Sequence, residues 1–308
     1  MNHNHTHSHS HSHDAHAPKR FDRAFALGIA LNLAYVLIEA LYGWHVNSLA
    51  LLADAGHNLG DVGGLLLAWA AIAAARLQST DKRTYGWRRA SILASFANAL
   101  LLLVAMGSLG WEALQRLQQP EPIAGVTVML VAAIGVLVNA FTAWLFVSGS
   151  KDDLNLRGAF LHMAADALVS IGVVAAGALY LWQGWLWLDP VVSLIIAAVI
   201  IIGTWSLFRQ SLHLLFDGVP EHVDLAALRH YLQDLPEVID VHDLHVWALS
   251  TNEVALTAHL RLQTLPNDDS FVRAISEELH EHYGIAHSTL QLESQQGCSL
   301  RCAAPGQH

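Results

Sequence analysis

Charge is scarce in this chain, and the scarcity is concentrated. Charged residues make up 14% of the sequence and hydrophobic ones 54%. Between Ala24 and Ala75 the only charged residues are Glu39, Asp54 and Asp61. A stretch of that kind cannot serve as the surface of a water-soluble protein, and it exceeds the roughly 20 helical residues that a bilayer requires. Cysteine is almost missing. Cys298 and Cys302 are the only two and lie near the C-terminal end, so no disulfide framework organises the fold. No phosphate-cradling Gly-Lys-Ser/Thr motif is present, which argues against ATP as the energy source. No His-Glu-x-x-His helix is present either, which weighs against a zinc hydrolase. The formal net charge of −10 offers nucleic acid no electrostatic hold. The polar N-terminus lacks the apolar core of a cleavable signal peptide, so insertion falls to the first span.

Six apolar stretches reach spanning length, roughly at 23–44, 49–76, 89–117, 124–148, 157–183 and 187–212. The loops between them alternate in charge. The second loop carries Arg76, Lys82, Arg83, Arg88 and Arg89, and the fourth carries Lys151 and Arg157. The other three have no Lys or Arg. The positive-inside rule then predicts a multi-pass protein with both termini in the cytoplasm, in a bacterial inner membrane. Trp44, Trp111, Trp182, Trp185 and Trp187 fall near the predicted outer ends, where an interfacial belt accounts for them.

Within these spans one pattern occurs twice. His57 precedes Asp61, and His162 precedes Asp166, each by four positions. Residues i and i+4 share a helix face. Ionisable groups inside a membrane are costly and mark ion or proton paths. A single pair is also what a structural His–Asp hydrogen bond would look like, a reading that the duplicate weakens. Two pairs facing each other would offer two imidazole nitrogens and two carboxylate oxygens, a donor set suited to tetrahedral Zn²⁺. Gly56, Gly60 and Gly64 form a small-residue ridge beside the first pair and predict close helix packing. Glu39 can be a proton carrier, a partner of a basic side chain or a buried structural acid, and the last is favoured because no second ligand accompanies it. Asn98 and Asn139 read as interhelical hydrogen-bonding groups, and Asp54 as a guide for metal leaving the site.

From Phe216 onward charges return at ordinary density. An amphipathic helix at Asp224–Leu235, strands at Val238–Ala248 and Val254–Leu262, a helix at Phe271–Tyr283 and a strand at Ser288–Glu293 give the order α-β-β-α-β. His242 and His259 can stand on adjacent strands with Glu293 on a third. His245 and His287 are further candidates, whereas His222, His230, His280 and His282 read as surface. The predicted organisation is a His-rich tail over 1–19, a six-helix transmembrane domain over 20–215, a cytoplasmic α+β domain over 216–293, and a tail with the Cys pair over 294–308. The tract HNHTHSHSHSHDAH cannot build a core and predicts loose metal collection. Three readings from different classes follow: a metal transporter, a membrane metal sensor and an intramembrane zinc metalloenzyme.

The stretches SLALLADAGHNLGD, TYGWRRASILA, LHMAADALVSIGVV, GVPEHVDL and VHDLHVWALS together resemble the cation diffusion facilitator family, over about residues 20–293. The resemblance implies proton-coupled zinc export, with Zn²⁺ as cargo and H⁺ as counter-ion, and cobalt or other divalent metals as further cargo. It implies a transport site at His57, Asp61, His162 and Asp166. It also implies a homodimer whose cytoplasmic domains have a metallochaperone-like fold, with metal held at His242, His259 and Glu293. Some members have His where this chain has Gln291. The family's occasional His-bearing site in the second loop is missing here, because DKRTYGWRR contains no histidine. Arg88 or Arg89 is expected to pair with Asp217 across the dimer's inner membrane face.

Overall fold

The computed structural model describes residues 19–147 and 154–294. Six long helices come first: α1 (Lys19–His45), α2 (Leu49–Ala75), α3 (Ala90–Gln118), α4 (Gly125–Val147), α5 (Leu154–Gln183) and α6 (Leu188–Leu215). Among the described residues the last five are long and apolar enough to cross a membrane. The first matches them in length at 27 residues. Their outward faces carry large apolar side chains: Trp69 is 71% exposed and Ile202 75%. Such a surface suits hydrocarbon and not water, and a helix satisfies its backbone hydrogen bonds without help from solvent. The chain is a multi-pass membrane protein.

The chain divides into two compact units, one of residues up to Ala55 with Pro120–Val192, the other Gly56–Gln119 with Ser193 onward. In the first unit α1, α4 and α5 pack together. Gly135 of α4 leaves room for the end of the Tyr35 ring, where an added Cβ would lie 2.6 Å from Cζ. Tyr35 in turn donates to Glu39 Oε1 at 2.7 Å, and Glu39 is fully buried. Asp54 is buried too and accepts from Ser170 of α5 at 3.2 Å. Asn139 departs from expectation: it is fully buried, and neither end of its amide has a hydrogen-bond partner among the described residues.

In the second unit the glycine ridge of α2 meets α3. Added Cβ atoms would lie 3.0 Å from Met106 at Gly56, 2.9 Å from Leu102 at Gly60 and 2.8 Å from Asn98 at Gly64. The ridge is a packing surface, with one small residue per turn admitting one large side chain.

The small domain follows as α7 (Leu225–Gln233), β1 (Val238–Ala248), β2 (Val254–Leu262), α8 (Ser270–Tyr283) and β3 (Ile285–Glu293). Asp224 Oδ1 caps α7 by accepting from Ala226 N at 2.9 Å and Ala227 N at 3.0 Å. Gly284 ends α8 at φ +68°, a left-handed conformation that costs glycine nothing. The sheet order is β1-β2-β3, with β1 antiparallel and β3 parallel to β2. Parallel pairing needs a crossover, and α8 supplies it. Leu228 and Leu232 of α7 and Ile275 and Leu279 of α8 bury against Val241, Leu256 and Leu260 of the sheet. Each such side chain contributes roughly 1.5–3 kcal/mol.

The basic loop joins this unit together. Arg89 pairs with Asp217 of the same chain, while Arg88 Nη1 lies 3.0 Å from Glu253.

Candidate metal centre

The 3.6-residue helical period sets the first pair without help from tertiary structure. His57 Nε2 lies 3.6 Å from Asp61 Oδ2 on α2. On α5, His162 Nε2 lies 3.5 Å from Asp166 Oδ2, and Asp166 is 3% exposed. Both separations exceed a hydrogen bond. They are close to the edge of a zinc tetrahedron, since ligands about 2.05 Å from the metal sit about 3.3 Å apart. Each pair is thus spaced to give a divalent ion two of its four ligands. The first pair belongs to the second compact unit and the second pair to the first.

The small domain brings three more donors together. Antiparallel register puts His242 opposite His259, and their rings sit 5.3 Å apart edge to face. Glu293 arrives from β3, with Oε2 3.3 Å from His242 Nε2 and Oε1 3.0 Å from His259 Nδ1. The three ligand atoms lie within 4.8 Å of one another. Glu293 is 8% exposed and the histidine side chains are 15% and 17% exposed. A carboxylate so far from water needs cationic or donor partners. Gln291 Nε2 donates to its Oε1 at 3.0 Å, so Gln291 orients the carboxylate and takes no place among the three donors.

His245 stays outside the group. A register shift falls between His242 and His245, and Asp243 there takes φ +53°. The bulge turns His245 outward, where it is 66% exposed and 3.0 Å from Asp243 Oδ1. Asp243 Oδ2 also lies 3.5 Å from His259 Nε2. A carboxylate flanked by two histidines in VHDLH was a visible signal, and strand alternation alone did not assign it. His287 lies 2.7 Å from Arg88 and so belongs to the basic loop. His282 pairs with Glu278 and His230 with Asp234, all at the surface. Cys298, Cys302 and the His-rich tract lie outside the described residues.

Residues 25–216 match the cation efflux transmembrane domain, and residues 220–295 match the cation efflux protein cytoplasmic domain. The chain belongs to the cation efflux family. Among the family's members, the zinc transporter ZitB of Escherichia coli is 36% identical over 273 residues, covering 88% of this chain and 86% of that protein. The cadmium, cobalt and zinc/H(+)-K(+) antiporter of Bacillus subtilis is 33% identical over 278 residues, covering 89% of each. The metal cation efflux system protein CzcD of Cupriavidus metallidurans is 35% identical over 273 residues, 88% of this chain and 86% of its own. Cation efflux membership removes the zinc metalloenzyme from the readings above.

Proposed function

We propose that this chain exports Zn²⁺, and related divalent ions such as Co²⁺, from the cytoplasm in exchange for protons. The observation that carries the reading is the His–Asp pair repeated in two spanning helices, each time near the edge length of a zinc tetrahedron. In this reading His57, Asp61, His162 and Asp166 form one transport site, two donors from each helix. The names of the relatives support zinc as cargo, and the name of the Bacillus subtilis relative includes H⁺ in the exchange.

Zinc takes neutral imidazole and ionised carboxylate, so metal and protons compete for the same atoms. An imidazole with its ordinary value of about 6.5 sits within the pH range that a bacterial membrane separates. Facing the cytoplasm, the site sheds protons and takes Zn²⁺. Facing outward at lower pH, it takes protons and releases Zn²⁺. Rocking of helices around a fixed mid-membrane site provides the alternation.

The same reading places both termini in the cytoplasm, makes the protein a homodimer through its small domains, and assigns His242, His259 and Glu293 a second zinc. Two imidazoles and a buried carboxylate fit that ion. The test is a proteoliposome experiment in which Zn²⁺ uptake and internal pH are followed together. Zinc entry should move protons in the opposite direction, and an imposed pH gradient should drive it. Zinc flux indifferent to the gradient would remove the exchange; no flux from folded protein would remove the transport reading.

A further inference from the structure

A cavity of about 840 Å³ opens where the basic loop joins α2 to α3. That volume is within the range of small-molecule sites. Its walls are apolar and its mouth is cationic. Ala70 and Ala74 of α2 and Ala94 and Ala97 of α3 line it, with Leu215 of α6 and Trp247 and Leu249 of the small domain, and alanines one turn apart on both helices leave room for a chain in a slot beside them. Lys82 and Arg83 stand at the loop end of that slot, both exposed.

The four cations that line the cavity are not equivalent. Arg88 is held by Glu253 and Arg89 by Asp217. Lys82 and Arg83 meet no carboxylate among the described residues, and neighbouring Asp81 pairs with neither. The Arg83 guanidinium lies 3.7 Å over the Trp87 ring, which fixes its position without cancelling its charge. Tyr85 and Trp87 also line the cavity, and such rings favour the headgroup level of a bilayer.

An apolar slot continuous with two uncompensated cations fits an amphiphile. A soluble anion would leave the alanine walls unused, and a zwitterionic lipid would leave the net charge unanswered. We propose that this cavity binds an anionic phospholipid, its phosphate on Lys82 and Arg83 and an acyl chain beside the alanines of α2 and α3. The site is independent of which ion the protein carries. It lies on the loop whose Arg88 and Arg89 reach Glu253 and Asp217, so bound lipid steadies the contact between that loop and the small domain.

The test uses the full chain in detergent, with native mass spectrometry after addition of phosphatidylglycerol, phosphatidylcholine or inorganic phosphate. Phosphatidylglycerol should be retained in preference to phosphatidylcholine, and inorganic phosphate should not displace it. A Lys82→Gln/Arg83→Gln double variant changes only exposed side chains and keeps the fold. Two cations near a membrane surface, at about 1 kcal/mol each, correspond to about thirtyfold weaker retention. An Ala94→Trp variant fills the slot and should lose lipid with every charge in place. Equal retention of both lipids, displacement by phosphate, or an unaffected double variant would each overturn the proposal. A shift from dimer to monomer in folded Ala94→Trp with lipid retention unchanged would assign the cavity to a second copy of the chain instead.

Discussion

Asp189 at the start of α6 holds Ser48 at the start of α2. Its Oδ1 accepts from Ser48 Oγ at 2.6 Å and its Oδ2 from Leu49 N at 2.9 Å, with Ala50 N 3.4 Å from Oδ1. All of these residues are buried. The carboxylate thus satisfies backbone donors that the first turn of a helix leaves open, and its charge suits the positive end of the helix dipole.

Asp189→Ala should therefore destabilise the protein. It leaves a buried hydroxyl and helix-end N–H groups without an acceptor, at a cost of about 1–3 kcal/mol. Thermal unfolding of the purified protein in detergent reads the effect as a lower Tm. An unchanged Tm would mean that water reaches the start of α2 and replaces the carboxylate.

Asp61→Ala and His162→Ala should each abolish Zn²⁺ flux while leaving the protein folded and membrane-inserted. Each variant removes one of four ligands, and neither helix holds a spare at the same face and level. Vesicle uptake decides the matter, with size-exclusion profiles to certify the fold. Near-normal transport by both variants would end the assignment of the site.

His57→Asp should broaden metal choice toward Cd²⁺ without a need for tighter Cd²⁺ binding. Imidazole is a borderline ligand suited to a tight tetrahedron, whereas a carboxylate has variable denticity and accepts larger ions. Competition of Zn²⁺ against Cd²⁺ in vesicles measures the ratio. A ratio equal to that of the unaltered protein would show that His57 does not touch the metal.

Gly135→Ala should lower stability by about 1–3 kcal/mol, the usual cost of overfilling a packed interior. The new methyl would overlap the end of the Tyr35 ring and push its hydroxyl off Glu39. Gly107→Ala is the matched control, because no heavy atom lies within 4 Å of its added Cβ. That change should be neutral or stabilise α3 by about 0.5–1 kcal/mol. Equal Tm values for the two variants would show that α1 and α4 can move apart freely.

Features with a short period were legible in the sequence. The six long helices, of which five among the described residues are long and apolar enough to cross a membrane, follow from the length of apolar runs, and each His–Asp pair follows from the i, i+4 repeat of a helix that forms from local hydrogen bonds. The α-β-β-α-β order came out in full, with β3 starting at Ile285 and not at Ser288. Alternation on the strands also put His242, His259 and Glu293 on three strands able to meet.

Tertiary structure decided the rest. Whether His242 or His245 joins the donor group depends on one bulge at Asp243, and a one-residue shift sends a strand side chain to the opposite face. The bond from Asp189 to Ser48 spans 141 positions, and Ser170 reaches Asp54 over 116. No periodicity encodes such partners. They exist because a polar group buried by packing must find whatever donor or acceptor the neighbouring helix presents, and only the packed chain determines which residue that is.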